Sequence, residues 1–228
     1  MSVKKIIGIS FLIITGFSMM AFINLRSAAD SNFEGIITYS TTSSNSLAAQ
    51  TNGQQSTSTF YIKGGKMKTV IGGGTSFMTT TISDCSNPDD YIMLMDVHGS
   101  KYNVKIDKNV KVQDPVITYT DETKSVAGYT CHKAEVKISI DSIHSINEDV
   151  YYTTEISSSS CGRQYKGLKG FPLEWIAKFG ANTRTTIAIS IDKKSLSDDE
   201  FTVPPGYKPV TQEEMAQDIK NNTGNKGK

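Results

Sequence analysis

Strict alternation of apolar and polar side chains is the feature that most constrains the fold of this chain. Residues 101–107, 134–140 and 185–192 all show it, with Ala188 as the one weak position. Successive side chains of a β-strand point to opposite faces, so this period of two predicts strands with one buried and one solvated face. Such strands are typical of an antiparallel sheet.

Further strands are predicted where β-branched and aromatic residues are concentrated between turn signals. They lie at residues 35–41, 57–63, 66–71, 76–82, 115–120 and 150–157. Residues 91–97 are apolar on both faces, as expected of a strand covered on both sides. Short turns at 63–66 and 98–101 favour a meander of neighbouring antiparallel strands. The fold class is therefore predicted to be mainly β, with a curved antiparallel sheet.

Helical periodicity is scarce. Residues 172–179 are predicted to form two helical turns, and residues 211–222 a clearer helix. In the second segment Thr211 and Glu214 have the spacing of a capping box, and Met215 and Ile219 share one face. Residues 42–56, rich in Ser, Thr, Asn and Gln, predict a polar hairpin tip or loop.

The N-terminus has the three-part pattern of a secretory signal. Lys4 and Lys5 precede an uncharged, mostly apolar stretch at residues 6–23, and Ser27-Ala28-Ala29 supplies small residues for cleavage. A membrane anchor is the alternative, because the stretch is long enough to span a bilayer. We predict a signal peptide at 1–29 cleaved near Ala29, a β-rich domain at 30–210, and a C-terminal helix and frayed tail at 211–228. The expected location is the periplasm.

Charge argues against nucleic acid as a partner. Cleavage removes three basic residues and no acidic one, so the net charge changes from +1 to −2. Phosphate binding needs clustered Lys and Arg, and no basic stripe remains.

Three cysteines, Cys85, Cys131 and Cys161, follow the signal. An exported chain meets an oxidising compartment, which favours a disulfide. If the strands near 131–140 and 150–157 pair as a hairpin, Cys131 and Cys161 lie across from each other near its open end. We predict a Cys131–Cys161 disulfide, with Cys85 either free or taking one partner in a different topology.

Motifs for catalysis and metal binding are absent from the sequence. There is no Gly-x-Ser-x-Gly elbow, no CxxC and no HxxxH spacing. The histidines, His98, His132 and His144, fall at predicted turns or on polar faces. We expect no catalytic residues, no metal, no cofactor and no enzyme activity.

Six segments carry a resemblance to a known family. They are FEGIITY from Phe33, YIKGGK from Tyr61, LMDVHGSKY from Leu94, VAGYTCHKA from Val126, GLKGFPLE from Gly167 and FTVPPGYK from Phe201. The chain resembles uncharacterised proteins of Bacteroidota envelopes, a domain of unknown function, which are similar to the lipoprotein-carrier fold of LolA and LolB. The resemblance implies an incomplete antiparallel barrel around an apolar groove, with helices in its mouth. In the carriers that groove holds acyl chains.

The leading functional prediction is a non-enzymatic periplasmic binding protein for lipid, acyl chain or another hydrophobic ligand. Methionine and aromatic side chains give an adaptable apolar lining, so Met93, Met95 and Tyr102 are the predicted ligand-binding residues. The competing interpretation is that these side chains are simply core. The alternative function is a structural or protein-interaction module in envelope assembly, with residues 42–56 and the helix at 211–222 as contact elements and an envelope protein as partner.

Overall fold

The computed structural model describes residues 33–44, 56–72, 77–87, 89–106, 113–140, 144–156 and 163–224. The predicted signal peptide, most of the polar segment at 42–56, Cys161 and the end of the predicted tail lie outside these described residues.

Within these described residues, twelve strands form one curved sheet that is not closed. In chain order the strands are β1 Gly35–Ser43, β2 Ser56–Lys63, β3 Lys66–Gly72, β4 Phe77–Asp84, β5 Tyr91–Val97, β6 Ser100–Val104, β7 Val116–Val126, β8 Tyr129–Ser139, β9 Ser145–Thr153, β10 Phe171–Phe179, β11 Asn182–Lys193 and β12 Lys208–Val210. Their order across the sheet is β12-β6-β5-β4-β3-β2-β1-β11-β10-β9-β8-β7. All neighbours are antiparallel except β12 and β6, which are parallel. The predicted class, mainly β with a curved antiparallel sheet, is confirmed.

The C-terminal helix is also confirmed. Helix α1 spans Gln212–Gly224. Its capping box forms as the spacing predicts: the backbone N–H of Thr211 donates to Oε2 of Glu214 at 2.8 Å, and the backbone N–H of Glu214 donates to Oγ1 of Thr211 at 3.2 Å. Met215 and Ile219 pack on the end of the sheet that carries β6 and β12.

The predicted helix at 172–179 is wrong, because the segment is strand β10. It is hydrogen-bonded to β9 on one side and β11 on the other, and Leu173 and Ala177 are fully buried. A strand covered on both faces has no clean alternation, and its apolar residues imitate helical spacing. Pro172 is tolerated because it lies at a register shift at the start of the strand.

The predicted Cys131–Cys161 disulfide is also contradicted, because Cys131 carries a free, buried thiol. The physical reason is the register of the β8–β9 hairpin. His132 pairs with Tyr152 and Ser139 with Ser145, so the same register places Cys131 opposite Thr153 rather than eight residues further along. Cys85 is disulfide-bonded.

Each face of the sheet has its own cover. On the outer face, the segment around the 3-10 turn Asp198–Phe201 packs Leu196 and Phe201 against Ile82 and Leu94. The inner face is covered at one end by α1 and at the other by the 3-10 turn Arg163–Tyr165 with its following loop. The stretch of inner face between these two covers borders a cavity.

Candidate functional site

A cavity of about 680 Å³ lies on the inner face of the sheet. Met93 of β5 and Ile138 of β8 both line it, although these strands are far apart in the sheet, so the sheet curls around the cavity. Half of its lining residues are apolar or aromatic, and most of the rest carry hydroxyls. The lining residues are Thr41, Ser56, Thr57, Ser58, Phe60, Met67, Thr69, Ile71, Thr81, Ser83, Tyr91, Met93, Ile138, Gln164, Tyr165, Phe171, Pro172, Trp175, Arg184 and Thr186.

Cross-strand register explains why these side chains share one face. Phe60 of β2 pairs with Thr69 of β3, Thr69 with Thr81 of β4, and Thr81 with Met93 of β5. Directly paired residues of an antiparallel sheet project to the same side, so these four form one row along the cavity. Threonine favours strands and is smaller than the apolar residues at the ends of the row, which leaves space above the sheet.

Aromatic rings that pack against one another at tilted angles support one wall of the cavity. Tyr39 lies with its ring centroid 4.7 Å from that of Phe60 and 5.2 Å from that of Trp175, and Trp175 lies 6.1 Å from Tyr165. Tyr39 is completely buried, and its hydroxyl donates a hydrogen bond of 2.8 Å to the carbonyl of Pro172. Burial raises the pKa of Tyr39 well above its usual value, so the phenol stays neutral. The wall is therefore fixed by packing and by a satisfied polar group.

The cover at the β8–β10 end depends on a buried carboxyl group. Tyr165 and Leu168 pack on Val136 and Val150 of the inner face. The Tyr165 hydroxyl donates to Oε2 of Glu148 at 2.7 Å. Burial raises the pKa of Glu148, and it also raises the pKa of Tyr165 well above its usual value. This cover thus carries a titratable group next to the cavity wall.

All three predicted ligand-binding residues lie in the cluster beneath α1, and Met93 is the one of the three that also lines the cavity. Met95 and Tyr102 pair with each other across β5 and β6 and lie in the cluster beneath α1, together with Met215 and Ile219. A role of any of the three in ligand binding stays a prediction.

Among the described residues of the lining, Arg184 is the one with a formal charge, and it was not among the predicted site residues. It lies near the start of β11, it is exposed, and its guanidinium carbon is 5.2 Å from the centroid of the Phe179 ring. The signal was present in the sequence. Extending the alternation at 185–192 back by one residue places Arg184 on the same face as Thr186 and Ala188.

A second group of polar side chains, partly buried, lies on β7 to β10, and none of them is among the cavity-lining residues named above. Nζ of Lys124 is 2.6 Å from Oε2 of the buried Glu174 and 3.5 Å from the centroid of the Tyr151 ring. The free thiol of Cys131 packs nearby, and burial raises its pKa to about 11. Tyr151 donates a hydrogen bond to Glu122, which raises the pKa of Tyr151 to about 12. These groups satisfy one another.

Fold and site together define a class: an open, curved antiparallel sheet with a half-apolar cavity on its inner face. No family model matches the chain, and no curated protein matches it. PNGF-II in its P21 crystal form is a solved structure similar to it, with a TM-score of 0.50 and 16% identity. That alignment covers 81% of this chain and 32% of the PNGF-II chain, so this chain spans about a third of the length of that protein.

Two further solved structures align more weakly. PNGF-II in its C2 crystal form aligns at 14% identity with a TM-score of 0.35, over the same shares of both chains. A LolA superfamily protein from Nitrosomonas europaea aligns at 7% identity with a TM-score of 0.26, over 78% of this chain and 93% of its own. Because both TM-scores are below 0.5, neither alignment carries an argument about this chain. The predicted likeness to lipoprotein carriers stays a prediction.

No helix among the described residues is both long enough and apolar enough to cross a membrane.

Proposed function

We propose that this protein is a non-enzymatic binding protein for a hydrophobic ligand, such as the acyl chain of a lipid, in the periplasm of a bacterium. The observation that carries the proposal is the cavity of about 680 Å³ on the inner face of the sheet. Ligand pockets usually measure about 300–1,000 Å³ and are lined mostly by apolar and aromatic side chains with a few polar groups.

The energetics favour a chain-like apolar ligand. Each buried methylene contributes about 0.8 kcal/mol, so a twelve-carbon chain gains roughly 9 kcal/mol on leaving water. Association and ordering costs offset part of that gain. With the smallest such cost, about 4 kcal/mol, about 5 kcal/mol remains, so the expected dissociation constant is about 0.1–1 mM, because about 1 mM corresponds to about −4 kcal/mol.

The residues of the lining suit this ligand better than a rigid polar one. Met67 and Met93 adapt their shape to an apolar surface. Threonines along the central row offer both a methyl group and a hydroxyl, which suits a chain without a fixed hydrogen-bonding pattern. The alternative, a structural or interaction module, predicts a packed interior, and the cavity favours binding over it.

The proposal is tested with the neutral fluorescent probe N-phenyl-1-naphthylamine. Wild-type protein should raise the fluorescence of the probe saturably, and a dodecyl-chain ligand should displace it. Thr69→Trp places a large ring in the cavity, because Thr69 lies in its central row, and should abolish both effects.

The matched control is Ser190→Trp, which places the same ring at an exposed position of β11 that does not line the cavity. This variant should bind the probe like the wild type. Absence of any fluorescence change with the folded wild type, or equal binding by Thr69→Trp, would count against the proposed function.

A further inference from the structure

We propose that the ligand is a single-chain amphiphile with a monoanionic head group, a carboxylate, which is bound by Arg184 at one end of the cavity. This inference rests on the proposed function and adds to it the chemical class and the orientation of the ligand.

The first argument is charge. Among the described residues that line the cavity, Arg184 carries a formal charge and the other nineteen do not. Arg184 takes part in none of the ion pairs between described residues. Burial raises the pKa of Glu148 and the positive charge of Arg184 acts electrostatically against that rise, but the Glu148 carboxyl already accepts a hydrogen bond from Tyr165. The guanidinium thus offers N–H donors to a ligand.

The second argument is the polarity of the two ends. Arg184 pairs with Ser43 at the end of β1, and Ser56, the first residue of β2, pairs with Thr41. The hydroxyls of Thr41 and Thr186 lie 2.8 Å apart beside them. This end of the cavity is therefore polar.

The opposite end of the cavity is mainly apolar and aromatic, with Ser83 between Met67 and Tyr91. Met67 lies opposite Ile62, six residues along β2 from Ser56, and Ser83, which pairs with Met67, also pairs with Tyr91. At about 3.4 Å per residue the two ends are roughly 20 Å apart along the strands. One polar end and one apolar end match the two ends of an amphiphile whose chain lies along the strands.

The third argument is the chemistry of the guanidinium. It is planar, stays charged, and forms two parallel N–H···O bonds with a carboxylate. One guanidinium balances one negative charge. A zwitterionic or cationic head group would bring a positive charge close to the positive charge of Arg184. Among the described residues, no acid forms an ion pair with Arg184 that could balance this second positive charge.

The test measures displacement of N-phenyl-1-naphthylamine by three ligands with the same chain: dodecanoate, dodecanol and dodecylamine. The proteins are the wild type, Arg184→Gln, Arg184→Glu and the control Lys105→Gln, an exposed charge beyond β6 that does not line the cavity. Because the probe is neutral, unchanged probe affinity shows that the cavity of each variant is intact.

We expect the wild type and Lys105→Gln to bind dodecanoate about fivefold more tightly than dodecanol, the scale of an exposed ion pair. Arg184→Gln should remove this preference, and Arg184→Glu should turn it towards dodecylamine. Added salt should reduce the preference in the wild type, because Arg184 is exposed.

Equal binding of the three ligands by the wild type, or an unchanged preference in Arg184→Glu, would overturn the inference while leaving the proposed function standing. Failure of the wild type to bind the probe and all three ligands would instead overturn the proposed function, and this inference with it.

Discussion

The hydroxyl of Tyr165 donates a hydrogen bond of 2.7 Å to Oε2 of Glu148, and both residues are buried. The bond ties the 3-10 turn Arg163–Tyr165 to strand β9, so it holds the cover at one end of the cavity. A carboxyl group in such a place costs least when it is protonated.

Stability should therefore fall as pH rises above the usual range of a glutamate. Burial raises the folded-state pKa of Glu148 above 4.5, so the folded state holds this proton at pH values where the unfolded state has lost it. The contribution is fully present below pH 4.5 and is lost as pH rises through the raised pKa. Glu148→Gln keeps an acceptor for Tyr165 and should flatten this decline.

Urea unfolding of the wild type and Glu148→Gln at pH 4, 5, 6 and 7.5 checks this expectation. The variant should gain stability relative to the wild type as pH rises. The control is Glu213→Gln on the exposed side of α1, whose curve should run parallel to the wild type. Parallel curves for Glu148→Gln would contradict the account of the buried carboxyl.

The Lys124–Glu174 pair should show strong coupling. Glu174 is almost fully buried and Lys124 is about one-third exposed, so Lys124→Met leaves a buried carboxylate without its partner. We expect a loss of about 2–3 kcal/mol, less than for a fully buried pair because solvent screens the lysine. The double variant Lys124→Met with Glu174→Gln should recover most of this loss.

A double-mutant cycle from urea titrations measures the coupling. The exposed Lys208–Asp218 pair is the matched control, with Nζ and Oδ2 3.0 Å apart, and Lys208→Met should cost less than about 1 kcal/mol. Equal losses for the two single lysine variants would show that the burial of Glu174 does not matter.

Thiol reactivity should distinguish the cysteines. Cys131 is buried, and burial raises its pKa to about 11, so it should not react with a disulfide reagent at pH 8 in the folded protein. Cys85 is disulfide-bonded and Cys131 is free, which leaves Cys161, outside the described residues, as the partner expected within the chain.

Denatured but unreduced protein should therefore show one reactive thiol, and reduced protein three. Cys131→Ser should show none without reductant, and peptide mapping should find Cys85 linked to Cys161. A disulfide that contains Cys131 would contradict this assignment. So would two reactive thiols in denatured, unreduced Cys131→Ser.

Gly170 should resist substitution. A Cβ atom there would lie 2.3 Å from the carbonyl oxygen of Thr153, a backbone atom that cannot easily move. Gly170→Ala should cost about 1–3 kcal/mol through overpacking. At Gly72 a Cβ atom meets nothing nearer than 4.0 Å, so Gly72→Ala should be close to neutral. Thermal unfolding compares the two, and equal melting temperatures would show that the close approach at Gly170 relaxes at no cost.

Local pattern predicted most of the sheet because alternation is a property of neighbouring residues. The pattern at 134–140 lies within β8 except for its last residue, because β8 ends at Ser139, and the pattern at 185–192 lies within β11. The capping box at Thr211 likewise needed only two residues three positions apart.

Features that depend on how strands distant in sequence pair with one another could not be predicted from local sequence patterns. Strand β10 lies between β9 and β11 in the sheet and its first four residues are all buried, so its own residues do not alternate. The register of β8 with β9 depends on where the hairpin turns, and an assumed register misplaced Cys131.

The cavity could not be predicted from the sequence either. Its walls include Met93, Tyr165 and Arg184, which the curvature of the sheet brings around one space. Met93 was predicted because methionines suit a lining. Met95, two residues away on the same face, packs with Met93 in the cluster beneath α1 but does not line the cavity.

Native mass spectrometry of the protein incubated with dodecanoate tests the central claim most directly, because it counts the bound chains. The account predicts a wild-type species carrying one ligand, an equal fraction bound in Ser190→Trp, and only the unliganded mass in Thr69→Trp. Unliganded wild type, or the same bound fraction in Thr69→Trp as in wild type, would show that the cavity on the inner face is not where an apolar chain is held.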